Sequence, residues 1–406
     1  MIASIGVEIE IECAMNLKSV NSDSFLGVAI GEIRMILNDG GAMLILLFAM
    51  LIYTTIYSIA YGREVVECVD IAVVDEDNTP TSRRIVSGLR SGPNTSVAYN
   101  PVDMNSAKDL YLRRKVHAVV YIPEGLERNL LAGMQANIAL MLDGSHLLVY
   151  RQVLEQATND ILLQGAEVEV MRLVADDVDA AAALSIASPV SYDGHVLYNP
   201  SLGYGSFVMP SVVVVIIQQT LVIGLAMVGV RRRNLGLYPK ANSLLITTRN
   251  VIAKILVYVV IYSVNLTIIL FTIWPLFGFP NAGKPIAVAI LMLIYMVAAT
   301  ALGLTLSHLF IRREAPLMLL LWSSVPILLL AGVSYPHEAF PEWLYAIGRI
   351  FPSSSAVSAF VMVGTAGASL WDVRSDILQL LLLAVIYMVC AITAEKYCPR
   401  RKIQSK

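Results

Sequence analysis

Asp75-Glu76-Asp77-Asn78-Thr79 follows a run rich in Val, Ile and Ala. An Asp-x-Asp-x-Thr sequence at the end of a strand can serve phosphoryl transfer, with one carboxylate as nucleophile and the other as general acid on a Mg²⁺ site. That chemistry also needs a lysine and a further acidic pair closing a strand. Asp176-Asp177 falls within a helical pattern instead and no lysine is suitably placed, so the segment reads as a strand-ending turn. A calcium loop fails because Pro80 stands where the tight turn requires glycine. Gly278-Phe279-Pro280-Asn281-Ala282-Gly283-Lys284 resembles the start of a phosphate-binding loop, but Pro285 replaces the Ser or Thr that would hold Mg²⁺ and no soluble strand precedes it. It reads as a plain turn, so no ATPase and no cofactor site is expected on this chain. The five histidines share no ligand spacing, and no Ser/His/Asp set or His-Glu-x-x-His occurs. The four cysteines, Cys13, Cys68, Cys390 and Cys398, form neither a disulfide framework nor a zinc pattern. Asn94-Thr95-Ser96 matches a glycosylation sequon, which matters only in a eukaryotic secretory pathway. No catalytic residue and no metal ligand emerges.

The elements around these residues belong to a membrane. Of 406 residues, 57% are hydrophobic and 15% charged, against about 45–50% and ~25% in soluble proteins. With a mean hydropathy of +0.68, this excludes an ordinary cytosolic enzyme, a disordered chain and a nucleic-acid binder. A helix needs roughly 20 apolar residues to cross about 30 Å of hydrocarbon. Six stretches qualify: residues 41–61, 207–230, 251–274, 286–310, 316–333 and 377–394. Pro210 and Pro316 fall in expected first turns, and Pro326 lies inside the fifth span, where it should kink it.

Basic residues choose the orientation. Arg231, Arg232, Arg233, Lys240 and Arg249 lie between the second and third spans. Arg312 and Arg313 join the fourth to the fifth, and Lys396, Arg400, Arg401, Lys402 and Lys406 close the chain. All three clusters share one side if both termini are cytoplasmic. Residues 62–206 then stand on the far side with 11 basic and 19 acidic residues, a net of −8, which leaves +6 on the remainder. The start of the chain has no signal-peptide pattern, and residues 1–20 receive no structural assignment. Residues 24–37 read as a membrane-surface helix: Leu26, Ile30, Ile33 and Leu37 make one apolar stripe while Glu32, Arg34 and Asn38 face away. Asn38-Asp39-Gly40-Gly41 breaks it from the first span.

The expected fold is an α-helical integral membrane protein with six transmembrane helices and an inserted extracytoplasmic mixed α/β domain. Its parts are a cytoplasmic N-terminus with the surface helix (1–40), the first span (41–61), the inserted domain (62–206), a five-helix region (207–395) and a basic cytoplasmic tail (396–406). In the domain, residues 70–74, 116–122 and 138–142 read as strands. Asn105 or Ser106 is placed to cap a helix through Arg114, and Pro123 to open another that stops at Gly133. Apolar spacing of three and four over residues 146–183 predicts a long amphipathic helix, or two with a break near Gly165. Residues 334–372, punctuated by Pro336, Pro341 and Pro352, form a second external element. Phe340, Trp343, Tyr345 and Phe351 suit the interfacial belt, and residues 356–363 dip part way into the bilayer, where irregular backbone must be buried in protein.

An ion-driven carrier usually keeps an Asp, Glu or His at mid-bilayer. These spans hold none there; His308, Glu314, Asp376 and Glu395 all lie at span ends. Gln218-Gln219 in the second span and Asn265 in the third are the deepest polar residues, suited to interhelical hydrogen bonds or to lining a substrate path. Whatever is moved takes its energy from another subunit.

From Phe25 to the end the chain resembles ABC-2 type transporter permeases with a large external domain after the first span. Gly31-Glu32-Ile33-Arg34 lies in the surface helix, or elbow. Ile71 to Asn78 is similar to the family's opening strand and turn. Tyr198-Asn199-Pro200 with Phe207-Val208-Met209-Pro210 is similar to the approach to the second span. Gly332 to Pro336, Phe340 to Leu344 and Phe351-Pro352 resemble the loop before the last span. One departure stands out: where many members carry a Glu-Arg-Glu-x-Gly-Thr-like run, this chain reads Arg231-Arg232-Arg233-Asn234-Leu235-Gly236, keeping Gly236 and the later Lys254.

The resemblance implies the permease of an exporter in the inner membrane. Two such subunits, identical or homologous, would sit on separate ATP-binding subunits that hold ATP and Mg²⁺. Glu32, Arg34, Arg231, Arg232, Arg233, Gly236 and Lys254 would couple to the ATPase, and Gln218, Gln219 and Asn265 would line the path. A periplasmic adaptor and membrane lipids are further expected partners, and nucleic acid is not. The alternative is a membrane-anchored binding or assembly protein that acts through its external domain without transport.

Overall fold

The computed structural model describes residues 24–190, 195–200, 202–237, 243–312, 314–333 and 335–397. Residues 1–20, Lys240, Arg313 and the tail cations Arg400, Arg401, Lys402 and Lys406, on which parts of the sequence reading rest, lie outside them. The chain divides into two compact units. One takes the chain up to Gly62 and from Leu197 onward; the other is Arg63–Val196.

In the first unit, α1 (Phe25–Leu37) begins at Ser24, whose hydroxyl accepts from the Gly27 N–H at 2.9 Å. Leu26, Ile30, Ile33 and Leu37 form its exposed stripe, while Glu32, Met35 and Ile36 are buried on the other side. Asp39 ends the break and caps α2 (Gly40–Tyr61), accepting from the N–H groups of Gly41 and Ala42. The remaining helices are α8 (Tyr204–Asn234), α9 (Leu244–Phe277), α10 (Pro285–Ser307), α11 (Ala315–Leu330), the bent pair α12 (Glu342–Gly348) and α13 (Pro352–Thr365), and α14 (Arg374–Tyr397). Among the described residues, α2, α8, α9, α10 and α14 are long and apolar enough to cross a bilayer.

Helix α8 is apolar all round and forms the centre of the bundle, with 89% of its apolar window buried against 28% for α14. Packing around it relies on small residues. A Cβ on Gly224 would stand 2.3 Å from Leu46, so α2 reaches α8 only because that position is glycine.

Two expectations about the helices need correction. Pro210 lies inside α8 rather than in its first turn, because the helix starts upstream at Tyr204. The fifth expected span is the 16-residue α11, about 24 Å at 1.5 Å per residue, which is short for a complete crossing. Helices α12 and α13 bend by 93° and together have the length and apolarity of a broken span or re-entrant loop. Pro352 opens α13 while Gly348 closes α12.

The second unit carries a mixed four-stranded sheet in the order β2-β1-β3-β4. Its strands are β1 (Val69–Asp75), β2 (Thr95–Tyr99), β3 (Ala118–Ile122) and β4 (Ala139–Leu142). β1 runs parallel to β2 and β3, and β4 runs antiparallel to β3. The helices are α3 (Pro80–Ser91), α4 (Met104–Leu112), α5 (Leu126–Leu131), α6 (Leu147–Ala175) and α7 (Ala180–Ala187). Ile71, Val73, Val120 and Ile122 pack on Ile85 and Leu89 of α3 and Val153 of α6. Ala72, Val74 and Val119 face Ala107 of α4. Burial on both faces is why β1 reads as a continuous apolar run.

The sequence reading missed α3 and β2, and it misplaced three boundaries. Asp103, not Asn105 or Ser106, caps α4, its carboxylate accepting from the Ser106 N–H at 2.7 Å. α5 starts after Gly125, not at Pro123. α6 is the unbroken alternative, running through Gly165, but it stops at Asp176–Asp177 rather than continuing to residue 183. There Asp177 takes φ 63°, and the Asp177 and Val178 N–H groups bond back to the carbonyls of Val174 and Leu173.

Candidate functional site

The three arginines sit on the last turn of α8, not on a free loop. Cations there complement the helix dipole. Successive helical residues point about 100° apart, so the three side chains reach three different elements. Arg231 donates to the Asn38 carbonyl at 2.7 Å and pairs with Asp39 at 3.2 Å. Arg232 pairs with Glu32 of α1. Arg233 donates to the carbonyls of His308 and Phe310 just past α10, at 2.8 and 2.7 Å.

Glu32 is the hub. Its side chain is 2% exposed and Arg232 is 5% exposed, and the Tyr258 hydroxyl of α9 donates to the other carboxylate oxygen at 2.6 Å. Lys254, one turn before Tyr258, pairs with Glu395 of α14 at 2.6 Å, both nearly fully buried. Two cations and two carboxylates therefore share a water-poor site with zero net charge. Such a set is tolerable only complete, since an unpaired buried charge costs several kcal/mol.

Gly236 stops α8. It takes φ 63°, and the N–H groups of Gly236 and Leu237 bond back to the carbonyls of Arg233 and Arg232 at 3.1 and 3.0 Å, a Schellman ending. Arg34 is exposed on α1. The expected coupling residues thus separate into two kinds. Glu32, Arg232 and Lys254 are buried and hold helices to one another, whereas Arg34 presents its charge outward.

Of the residues expected along a substrate path, Gln218 and Asn265 are engaged between helices. Gln218, at mid-length of α8, accepts from the Ser353 N–H at the start of α13 at 2.8 Å. Gln379 and Tyr387 of α14 donate to the carbonyls of Arg349 and Ile350 in the α12–α13 break, at 2.8 and 2.6 Å. The carbonyls of the break are thus satisfied within the protein. Asn265 donates to the Leu46 carbonyl of α2 at 3.4 Å. The Gln219 amide nitrogen is buried without a hydrogen bond.

Sequence reasoning missed Asp39, Tyr258 and Glu395 as partners. A signal was available on α9, where Asn250, Lys254, Tyr258, Tyr262 and Asn265 recur at helical spacing through an apolar span and are all buried. Tyr262 completes the seam, donating to Thr220 of α8 at 2.8 Å. One face of α9 therefore bonds in turn to α14, α1, α8 and α2.

In the sheet unit the Asp75–Thr79 turn is occupied by its own hydrogen bonds. Asp75 accepts from the N–H groups of Asp77 and Asn78 and from the Ser82 hydroxyl. Asp77 accepts from Thr79, Gly125 and Glu127. Burial alone would raise the Asp77 carboxyl, but hydrogen bonds from the Thr79 hydroxyl and the backbone of Glu127, Gly125 and Leu126 together hold it below its ordinary value. These carboxylates splice a strand to a helix, and no metal-like cluster of His, Cys, Asp or Glu forms among the described residues.

Residues 41–393 match the family described as ABC-2 family transporter protein. The probable multidrug ABC transporter permeases YbhR of Escherichia coli K12 and of E. coli O157:H7 are each 24% identical over 336 residues, covering 79% of this chain and 84% of theirs.

Proposed function

This chain belongs to the ABC-2 transporter family and is a permease subunit, and from that premise we propose that it is the membrane half of an ATP-driven exporter. Two permease subunits, this chain with a copy or a homologue, are joined by separate ATP-binding subunits that carry the nucleotide and Mg²⁺. The assembly lies in the inner membrane with both termini on the cytoplasmic side, and it moves apolar or amphiphilic compounds outward. The inserted domain lies on the extracytoplasmic side, where it is available to an adaptor.

The observation that carries this reading is the burial of Glu32 between Arg232 and Tyr258. A ligand or partner biases a conformational equilibrium only through interactions that differ between the states. An ATPase dimer pushing on α1 would therefore displace α8 and α9 with it, because the Glu32 joint leaves the three elements no cheap way to move apart. Arg34 on the outer side of α1 is the contact proposed for the ATPase.

Co-expression with a candidate ATP-binding subunit tests the proposal. The complex should co-purify, and vesicles holding it should expel a fluorescent apolar dye only with ATP. Arg34→Glu should weaken co-purification, while Glu32→Gln should leave the complex intact and reduce dye expulsion per ATP hydrolysed. A chain that captures no ATPase, or an Arg34→Glu variant that assembles and transports like the parent, would overturn the assignment.

A further inference from the structure

Helices α9 and α10 leave a groove of about 260 Å³ between them near the turn that joins them. Leu266, Leu270 and Phe271 line it from α9, Val288, Ala289 and Met292 from α10, and the turn adds Asn281, Gly283 and Pro285. Both helices are long and apolar enough to span the bilayer, and Phe271 and Ala289 are exposed beside the groove. The walls are mostly apolar, with Ser263, Thr267 and Asn281 as the polar exceptions, and an alkyl chain gains contact along them.

The end of the groove carries charge. From Ile255 through Ser307, Lys284 is the single charged residue, and it lies between the groove-lining Gly283 and Pro285. It occupies the N-cap position of α10, where no side chain caps the helix and no acidic residue stands in the first turn. A cation at the positive end of a 23-residue helix is electrostatically unfavourable unless an anion joins it. The turn is also held in place, with the Gly283 N–H donating to the Gly364 carbonyl of α13 at 2.9 Å. A mostly apolar groove flanked by two positive features matches a molecule with a hydrocarbon tail and an anionic head.

We propose that this groove binds an anionic phospholipid, with one acyl chain between α9 and α10 and the phosphate against Lys284 and the first turn of α10. The site is independent of the export reading and requires only that the two helices lie in a bilayer. A basic residue at the membrane surface attracts anionic lipid by about 1 kcal/mol, which corresponds to about a fivefold preference over zwitterionic lipid.

Native mass spectrometry of the full chain released from mixed phosphatidylglycerol and phosphatidylcholine bilayers reads this directly. The parent should retain phosphatidylglycerol about fivefold over phosphatidylcholine. Lys284→Gln should abolish the preference and Lys284→Arg should keep it. Ala289→Trp, at an exposed position on the groove wall, should displace retained lipid of either kind. Equal retention of the two lipids by the parent, an unchanged preference in Lys284→Gln, or full retention in Ala289→Trp would each overturn the site. Loss of a dimer in Ala289→Trp with lipid retention unchanged would assign the groove to a second copy of the chain instead.

Discussion

Removing Arg232 while keeping Glu32 leaves a carboxylate that is 2% exposed without its paired cation, the Tyr258 hydroxyl still donating to it at 2.6 Å. Breaking a buried pair from one side costs about 3–5 kcal/mol, so Arg232→Met should destabilise the helical unit by that amount. Glu32→Gln removes the opposite charge and takes this carboxylate from the buried Arg232, at a similar cost. Independent losses would sum to about 6–10 kcal/mol in the double variant. Charge balance predicts otherwise: Glu32→Gln with Arg232→Met restores a neutral site in which Lys254 still pairs with Glu395. The double variant should therefore lose no more than either single one, retaining mainly the cost of hydrogen bonds, about 1–2 kcal/mol. Reversible denaturant unfolding in mixed micelles, followed by tryptophan fluorescence, measures all four corners of the cycle. Additive losses would refute the idea of one coupled joint and leave Arg232 and Glu32 as unrelated packing residues.

Two further outcomes follow from local geometry. Gly236→Ala should lower stability by about 1–2 kcal/mol, the strain of a left-handed alanine, because a Cβ there meets no neighbour; Gly236→Asn should lose less, and equal thermal shifts for the two would remove the left-handed turn as the reason. In the sheet unit, Asp77 and Asp143 are both held below the ordinary carboxylate value of 3.8, Asp143 chiefly by the Ser145 hydroxyl and backbone N–H and by His146. Depressed folded values contribute stability that is complete above the unfolded value and lost as pH falls through the folded one, so hydrogen-exchange protection of β1 and β3 should decline below about pH 4. Asp77→Asn should lower protection at neutral pH and flatten that decline, and an unchanged acid slope would contradict the role given to its carboxylate.

Much of the architecture is legible residue by residue. The α1 stripe of Leu26, Ile30, Ile33 and Leu37 is visible because a 3.6-residue period is a local property, and five spans announce themselves by apolar length. The failures are equally specific. α3 is short and polar, and its only apolar register marks are Ile85, Val86 and Leu89. β2 is a five-residue edge strand. Gly165 left one helix or two open; an isolated glycine costs a helix only about 1 kcal/mol, which the rest of α6 outweighs, but the end at Asp176 was missed. α11 falls short of a full crossing, which a hydropathy pattern blurs by continuing into residues 331–333.

By itself the sequence determined that the chain threads a bilayer, which stretches are apolar enough to do so, and that an acidic mixed α/β unit is inserted after the first of them. These follow from composition and period, which act over one or two helical turns. Tertiary structure alone decided that three consecutive arginines grip three separate elements and that Glu32 of α1 is enclosed by Arg232 and Tyr258, 200 and 226 residues away. It also decided that Lys254 finds Glu395 across 141 residues. A buried charge is stable only beside its complement, and no local pattern records which distant helix will bring that complement to it.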